Sequence, residues 1–150
     1  MKAYPDTSYL CALYRFQENS ERAASHFAAM PGSLVIASPL LFEFRQSIRL
    51  QAWLHTKDRG KGYDKQTALH ALAKFQNNIS TGAIKVIPVE WADVAGIAET
   101  ISSEFTWTSG CRGFDILHVA TALHLGSSEF LTFDRNQKKL ALAKGLTVPF

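Results

Sequence analysis

Short aliphatic runs alternating with longer stretches of helical periodicity predict an α/β fold for this chain. The form expected is a three-layer sandwich whose central sheet is short-stranded, mostly parallel and flanked by helices. Two stretches support that class. "SLVIAS" (33–38) is continuously aliphatic, as a strand buried on both faces requires. "GFDILHVATALHLG" (113–126) is apolar nearly all round, as a buried helix requires. With 150 residues the chain has the size of one ordinary domain, so residues 1–150 are read as a single domain.

The elements follow in order. A strand over 2–5 leads into a helix over 7–16, "TSYLCALYRF". "ENSERAASHFAAM" predicts a second helix over 18–30, stopped by Pro31-Gly32. After the strand 33–38, Ser38-Pro39 reads as an N-cap followed by proline at the first helical position, opening a helix over 39–57. "HTKDRGKGYDK" (55–65) is charged, carries two glycines and reads as an exposed loop. A helix over 64–80 follows, then the strand "AIKVIPV" (83–89) and a helix over 91–105. A loop containing Trp and Gly (106–113) precedes the helix 114–125. A strand over 129–133, a helix over 135–143 and a short strand near 146–149 complete the chain.

A hydrophobic share of 47% and a charged share of 19% fit a soluble globular protein. No apolar run approaches the roughly 18–20 residues that a spanning helix needs. "MKAYPDTSYLCALY" makes a poor secretion signal, since a proline and an acid interrupt it. Cys11 and Cys111 show no metal-ligand spacing and are expected as reduced thiols of a cytoplasmic protein. The formal charge of +3 is compatible with an anionic partner but decides nothing alone.

Four carboxylates carry the chemistry. Asp6 and Asp134 each end a predicted strand, and ligands of open parallel sheets bind beyond the carboxyl ends of strands. Glu43 lies between Phe42 and Phe44 in the second turn of the helix after strand 33–37. Asp115 lies in the first turn of the apolar helix 114–125. Each has an ordinary reading: Asp6 and Asp134 as N-caps, Asp115 as a helix-dipole partner, Glu43 as a surface residue paired with Arg45. Together they would gather on one sheet edge. Two such charges 4 Å apart repel by roughly 4 kcal/mol at an effective dielectric of 20, so a cation is expected among them. Hard oxygen donors suit Mg²⁺ or Mn²⁺, and the lack of His or Cys ligand pairs argues against zinc. Metals held this way serve phosphoryl chemistry, activating water and stabilising charge on phosphorus oxygens.

"PDTSYL", "SPLLFEFRQ", "RGFDILHVATALHLG" and "FLTFDRNQKKLALAKGL" together resemble a PIN domain, and within it the VapC-type toxins of bacterial toxin–antitoxin pairs. The resemblance spans essentially the whole chain and implies a PIN-like sandwich. It assigns the family's acidic quartet to Asp6, Glu43, Asp115 and Asp134 as metal-binding and catalytic residues. It further implies hydrolysis of RNA phosphodiester bonds with Mg²⁺ or Mn²⁺, a VapB-like antitoxin partner and a homodimer. Two departures stand out. Pro5 replaces the usual aliphatic residue of the first strand and cannot donate to a ladder. Asn136 stands near the place where many relatives carry a further acid.

Supporting residues follow from chemistry. Ser8, Thr132 and Asn136 are candidates to orient the carboxylates by hydrogen bonding. Arg112, His118 and Arg45 are candidate contacts to substrate phosphate, with a core role for His118 and a solvated basic face as the ordinary readings. A haloacid-dehalogenase-type phosphatase is excluded, because position 8 is Ser where a second Asp is needed. A phosphate-receiver domain is excluded because the first strand carries one acid and "AIKVIPVE" ends without an Asp. No glycine-rich run precedes Lys-Ser or Lys-Thr, so a P-loop is absent. The alternative to a nuclease is a PIN-like module that binds RNA or protein without cutting.

Overall fold

The computed structural model describes residues 2–150. Its elements are β1 (Ala3–Pro5), α1 (Thr7–Tyr14), α2 (Ser20–Ala29), β2 (Leu34–Ile36), α3 (Ser38–Lys57) and α4 (Lys65–Ser80). β3 (Ile84–Val86), α5 (Trp91–Ser109), α6 (Gly113–His124), β4 (Glu129–Leu131) and α7 (Arg135–Ala143) complete them. The α/β class stands, with two short parallel strand pairs side by side between two helix groups in place of one continuous sheet. α1 packs on α2, α3, α4 and β1, while α6 packs on α5, α7 and β1.

Both strand pairs are parallel. β1 pairs with β4 in the register Ala3–Glu129, Tyr4–Phe130 and Pro5–Leu131. β2 pairs with β3 in the register Leu34–Ile84 to Ile36–Val86. β1 and β2 lie against each other, but no ladder joins them among the described residues. Pro5 gives a physical reason. The Lys2 carbonyl accepts from Ser128 N–H, and the Asp6 N–H donates to the Leu131 carbonyl, so even-numbered residues face β4. Alternation then turns Ala3 and Pro5 toward β2, the side where proline offers no donor. The departure noted in the sequence thus falls on the unpaired side and leaves the β1–β4 register intact.

Several boundaries differ from the sequence reading. Ser38 is the first helical residue of α3; the cap position is Ala37, with no side-chain cap. α5 continues through Thr106–Ser109, where a loop is expected, and stops at Gly110. There the backbone turns left-handed (φ 59°), a conformation that glycine adopts without steric cost. The expected last strand reduces to a single bridge between Glu129 and Thr147. β4 ends at Leu131 rather than Phe133, because side chains replace the next strand partners. Phe133 N–H donates to Ser8 Oγ (2.9 Å), and Asp134 N–H donates to Thr132 Oγ1 (2.9 Å).

The core beneath α3 and α4 is aromatic. Phe44 and Phe75 are both fully buried, with ring centroids 4.5 Å apart, and Tyr14 meets Phe75 edge-on at 5.2 Å. This packing holds α3, and Glu43 on it, against α1. Phe75→Ala should therefore cost about 3–5 kcal/mol, the range for deleting a buried phenyl group. Urea unfolding checks this; a loss under about 1 kcal/mol would mean that this cluster does not carry the α3–α4 packing.

Candidate functional site

Asp6 follows β1 directly and caps α1, with a carboxylate that is 0% exposed. Its Oδ1 accepts from Ser8 Oγ (2.6 Å) and Tyr9 N–H (2.9 Å). Its Oδ2 accepts from Thr132 Oγ1 (2.5 Å) and Gln137 Nε2 (3.0 Å). A carboxylate offers about four acceptor sites, and all are in use. Burial raises the Asp6 pKa to about 6, against the opposing pull of Ser8, Thr132 and Tyr9. Ser8 and Thr132 thus make the contacts expected of them, both to Asp6. Gln137, which the sequence reading missed, is buried one turn into α7. Its spacing to Leu140 and Ala141 on the buried face was the available signal.

Glu43 projects from α3 with its side chain 30% exposed. Its Oε2 accepts from His118 Nε2 (2.5 Å) and from Thr7 Oγ1. Burial acts to raise the Glu43 pKa, but these two bonds outweigh it and hold the carboxyl below its ordinary value. An ionised carboxylate only accepts, so Nε2 of His118 carries the proton. His118 Nδ1 is buried without a hydrogen-bond partner among the described residues. The His118 ring is 1% exposed and turned toward Glu43, in keeping with the core role read for it. This differs from the substrate contact considered for it. Thr7 was also missed; adjacent to Asp6 in the first turn of α1, it reads from sequence as an ordinary helix-start residue.

Asp115 sits in the first turn of α6 with 22% of its side chain exposed. Arg112 Nε approaches its Oδ2 at 3.4 Å, while the Arg112 side chain stays 80% exposed. Burial raises the Asp115 pKa; Arg112 opposes this, and the charges of Asp134 and Glu43 add to it. Asp134 caps α7, its Oδ1 accepting from Asn136 N–H (2.8 Å) and Gln137 N–H (2.9 Å). Asn136 meets Asp134 through its main chain, and its exposed side chain makes no hydrogen bond to a carboxylate. Asn136, Gln137, Arg112 and Asp115 line one small recess of about 30 Å³. Arg45 lies elsewhere, bonded to Gln76 on α4 (2.7 Å) and resting 6.0 Å from the Phe75 ring.

The four acids therefore gather at one edge of the sheet without meeting at one point. No three His, Cys, Asp or Glu side chains among the described residues are spaced to hold a single ion. The reason lies in the protein donors, which claim both oxygens of Asp6, one of Glu43 and one of Asp134. The oxygens left without a protein hydrogen bond are Glu43 Oε1, Asp134 Oδ2 and the Asp115 pair. These are hard anionic donors of the kind Mg²⁺ and Mn²⁺ prefer, and Asp115 lies near enough to Asp134 and Glu43 to feel both charges. In donor chemistry the site fits such an ion.

The PIN domain family model matches residues 3–142 of the chain. No curated protein matches the sequence. Three solved structures have similar folds. A toxin–antitoxin complex from Klebsiella pneumoniae has a TM-score of 0.66 at 19% identity, covering 99% of this chain and 98% of that one. VapC20 of Mycobacterium tuberculosis, a Sarcin-Ricin loop cleaving toxin, has a TM-score of 0.64 at 16% identity, covering 97% of both chains. VapBC2 of Rickettsia felis, bound to a promoter DNA fragment, has a TM-score of 0.67 at 15% identity, covering 99% and 97%. At such identities the likeness is one of fold.

The burial of Asp6 has a thermodynamic consequence with a definite sign. A raised folded-state pKa means that the native state binds the proton more readily than the unfolded chain, so stability falls as pH rises from about 4 through 6. Wild type in EDTA should thus gain stability relative to Asp6→Asn as pH drops from 7.5 to 4.5. The change should be on the order of 1–3 kcal/mol, read as the difference in Tm between the two proteins. A pH-independent difference would show that Asp6 titrates as an ordinary surface acid.

Proposed function

The chain belongs to the PIN domain family, and on that premise we propose that it is a divalent-metal-dependent endoribonuclease, the toxin of a toxin–antitoxin pair. One observation carries this reading: the fully buried Asp6 and the α7 cap Asp134 follow the carboxyl ends of the paired parallel strands β1 and β4, with Asp115 near enough to Asp134 and Glu43 to feel both charges. The fold likeness to VapC20, whose own substrate is the Sarcin-Ricin loop, supports RNA as the substrate class.

Asp6, Glu43, Asp115 and Asp134 would hold Mg²⁺ or Mn²⁺, Asp6 only by exchanging one of its four protein donors. When bound, the ion supplies an activated water and neutralises charge on the phosphorus oxygens. The chain's own groups set the geometry. His118 and Thr7 fix Oε2 of Glu43 and so leave Oε1 available. Ser8 and Thr132 hold the Asp6 carboxylate in the plane set by β1 and β4. Arg112 restrains Asp115 and keeps an exposed guanidinium next to it, suited to a phosphate oxygen.

The complexes from K. pneumoniae and R. felis support a VapB-like antitoxin as the partner of this chain. A homodimer is proposed with it; exposed aromatic side chains such as Phe42, Trp53 and Trp107 give the surface apolar area for partners. No helix among the described residues is long and apolar enough to cross a membrane. A non-cutting PIN module is the second reading. The complete set of donors on Asp6 and the lack of three ion-spaced side chains favour it.

Cleavage of labelled RNA by purified protein freed of any partner tests the assignment. We expect activity with Mg²⁺ or Mn²⁺ and none in EDTA or in Asp115→Asn; activity that persists under both conditions rejects it. His118→Ala should weaken Mn²⁺ affinity or kcat by about 10–100-fold, as removing a ligand's hydrogen-bond partner does. His118→Gln, which keeps a donor, should recover part of that loss. Calorimetric titration with Mn²⁺ provides the affinity; equal values for both variants and wild type would leave His118 a packing residue only.

A further inference from the structure

A separate cleft of about 210 Å³ opens beside Asp134, and its cations outnumber its acids. Arg22 of α2 and Arg135 and Lys138 of α7 line it together with the Asp134 side chain. Neither arginine has a carboxylate within ion-pair distance among the described residues. Lys138 donates to the Phe150 carbonyl. The Arg22 guanidinium rests over the rings of Phe133 and Phe150, 5.7 and 5.5 Å from their centroids, and these rings lie 4.6 Å apart. An exposed arginine would otherwise spread over many rotamers, whereas this one is held at the rim by cation–π contact. Unneutralised cations gathered in this way repel one another, a cost that an anionic ligand removes.

We propose that this cleft seats the phosphate backbone of single-stranded RNA on one side of the cleavage point. The inference rests on the ribonuclease reading and extends it by naming where the strand lies. Asp134 is the link, since it lines the cleft and also acts electrostatically on Asp115. A strand held by Arg22, Arg135 and Lys138 is thereby led to the acidic cluster. A recess of this size takes backbone phosphate, and sequence-specific RNA recognition mostly targets single-stranded segments. Contacts to phosphate position a strand without reading its bases, so the cleft supplies affinity and leaves sequence choice to other parts of the surface.

The test is fluorescence anisotropy of short labelled single-stranded RNAs in EDTA, where binding is read apart from cleavage. The double variant Arg22→Ala, Arg135→Ala should bind about tenfold or more weakly, equally for all sequences. Its slope of log K against log salt should shrink by about 1.4, roughly 0.7 for each phosphate that is no longer neutralised. Arg22→Lys, Arg135→Lys retains the charges and should keep the wild-type slope, which separates the effect of charge from that of packing on the rings. Arg49→Ala, Lys65→Ala, on the groove between α3 and α4, should change neither quantity. Unchanged affinity and slope in the first variant overturns the proposal, as does a wild-type protein without affinity for RNA. Unchanged RNA affinity together with abolished binding of polyglutamate overturns it in favour of protein docking. Cleft-dependent binding by a protein that does not cut with Mg²⁺ or Mn²⁺ keeps the cleft and removes the nuclease reading.

Discussion

The carboxylate of Asp6 is the point at which the two ends of the chain are tied together. It belongs to the β1–α1 junction, yet Thr132 and Gln137 reach it from the β4–α7 junction, more than a hundred residues away in sequence. Ser8 strengthens the same knot by accepting from Phe133 N–H while donating to Asp6. A buried carboxylate is costly unless its acceptor sites are filled, so each of these donors is held to the others by a shared penalty for leaving. The β1–β4 register, the early end of β4 and the placement of Asp134 follow from that single group.

Around it, the remaining acids are held in different ways, and the difference sets what each can do. Glu43 is pinned on one oxygen by a buried histidine and a threonine, which favours its charged form. Asp115 is held above its ordinary pKa first by burial, with Arg112 opposing this and the charges of Asp134 and Glu43 adding to it. Carboxylates arranged to be uncomfortable together are a recognised sign of a functional site, since a core selected for stability alone would remove the conflict. No three side chains among the described residues are spaced to hold one ion, and Asp6, Glu43 and Asp134 each already accept from a protein donor.

Most of the fold was legible in the sequence, and where it was not the cause is physical. "SLVIAS" and "FDILHVATALHLG" announce buried elements through composition alone. The end of α5 did not, because Thr106, Trp107 and Thr108 are weak helix formers, and tertiary context carries the helix on to Gly110. The last strand failed for a different reason: Val148 and its neighbours have strand propensity, but only Thr147 finds a bridge. All four acids were visible as charges in apolar surroundings. What the sequence could not display was which donors each acid meets, so Thr7 and Gln137 stayed hidden, and so did the bond from the buried His118 to Glu43. Side chains brought together across a hundred residues leave no periodic trace.

If the chain cuts RNA, these carboxylates, so well served by the protein, must still share a divalent cation. Anomalous diffraction from crystals grown with Mn²⁺ addresses this most directly. The expected result is one strong manganese peak between Glu43, Asp115 and Asp134, with Asp6 bound to it directly or through one water. A crystal saturated with Mn²⁺ that shows no peak there, with the Asp6 contacts to Ser8, Thr132 and Gln137 intact, would contradict the metal-dependent reading.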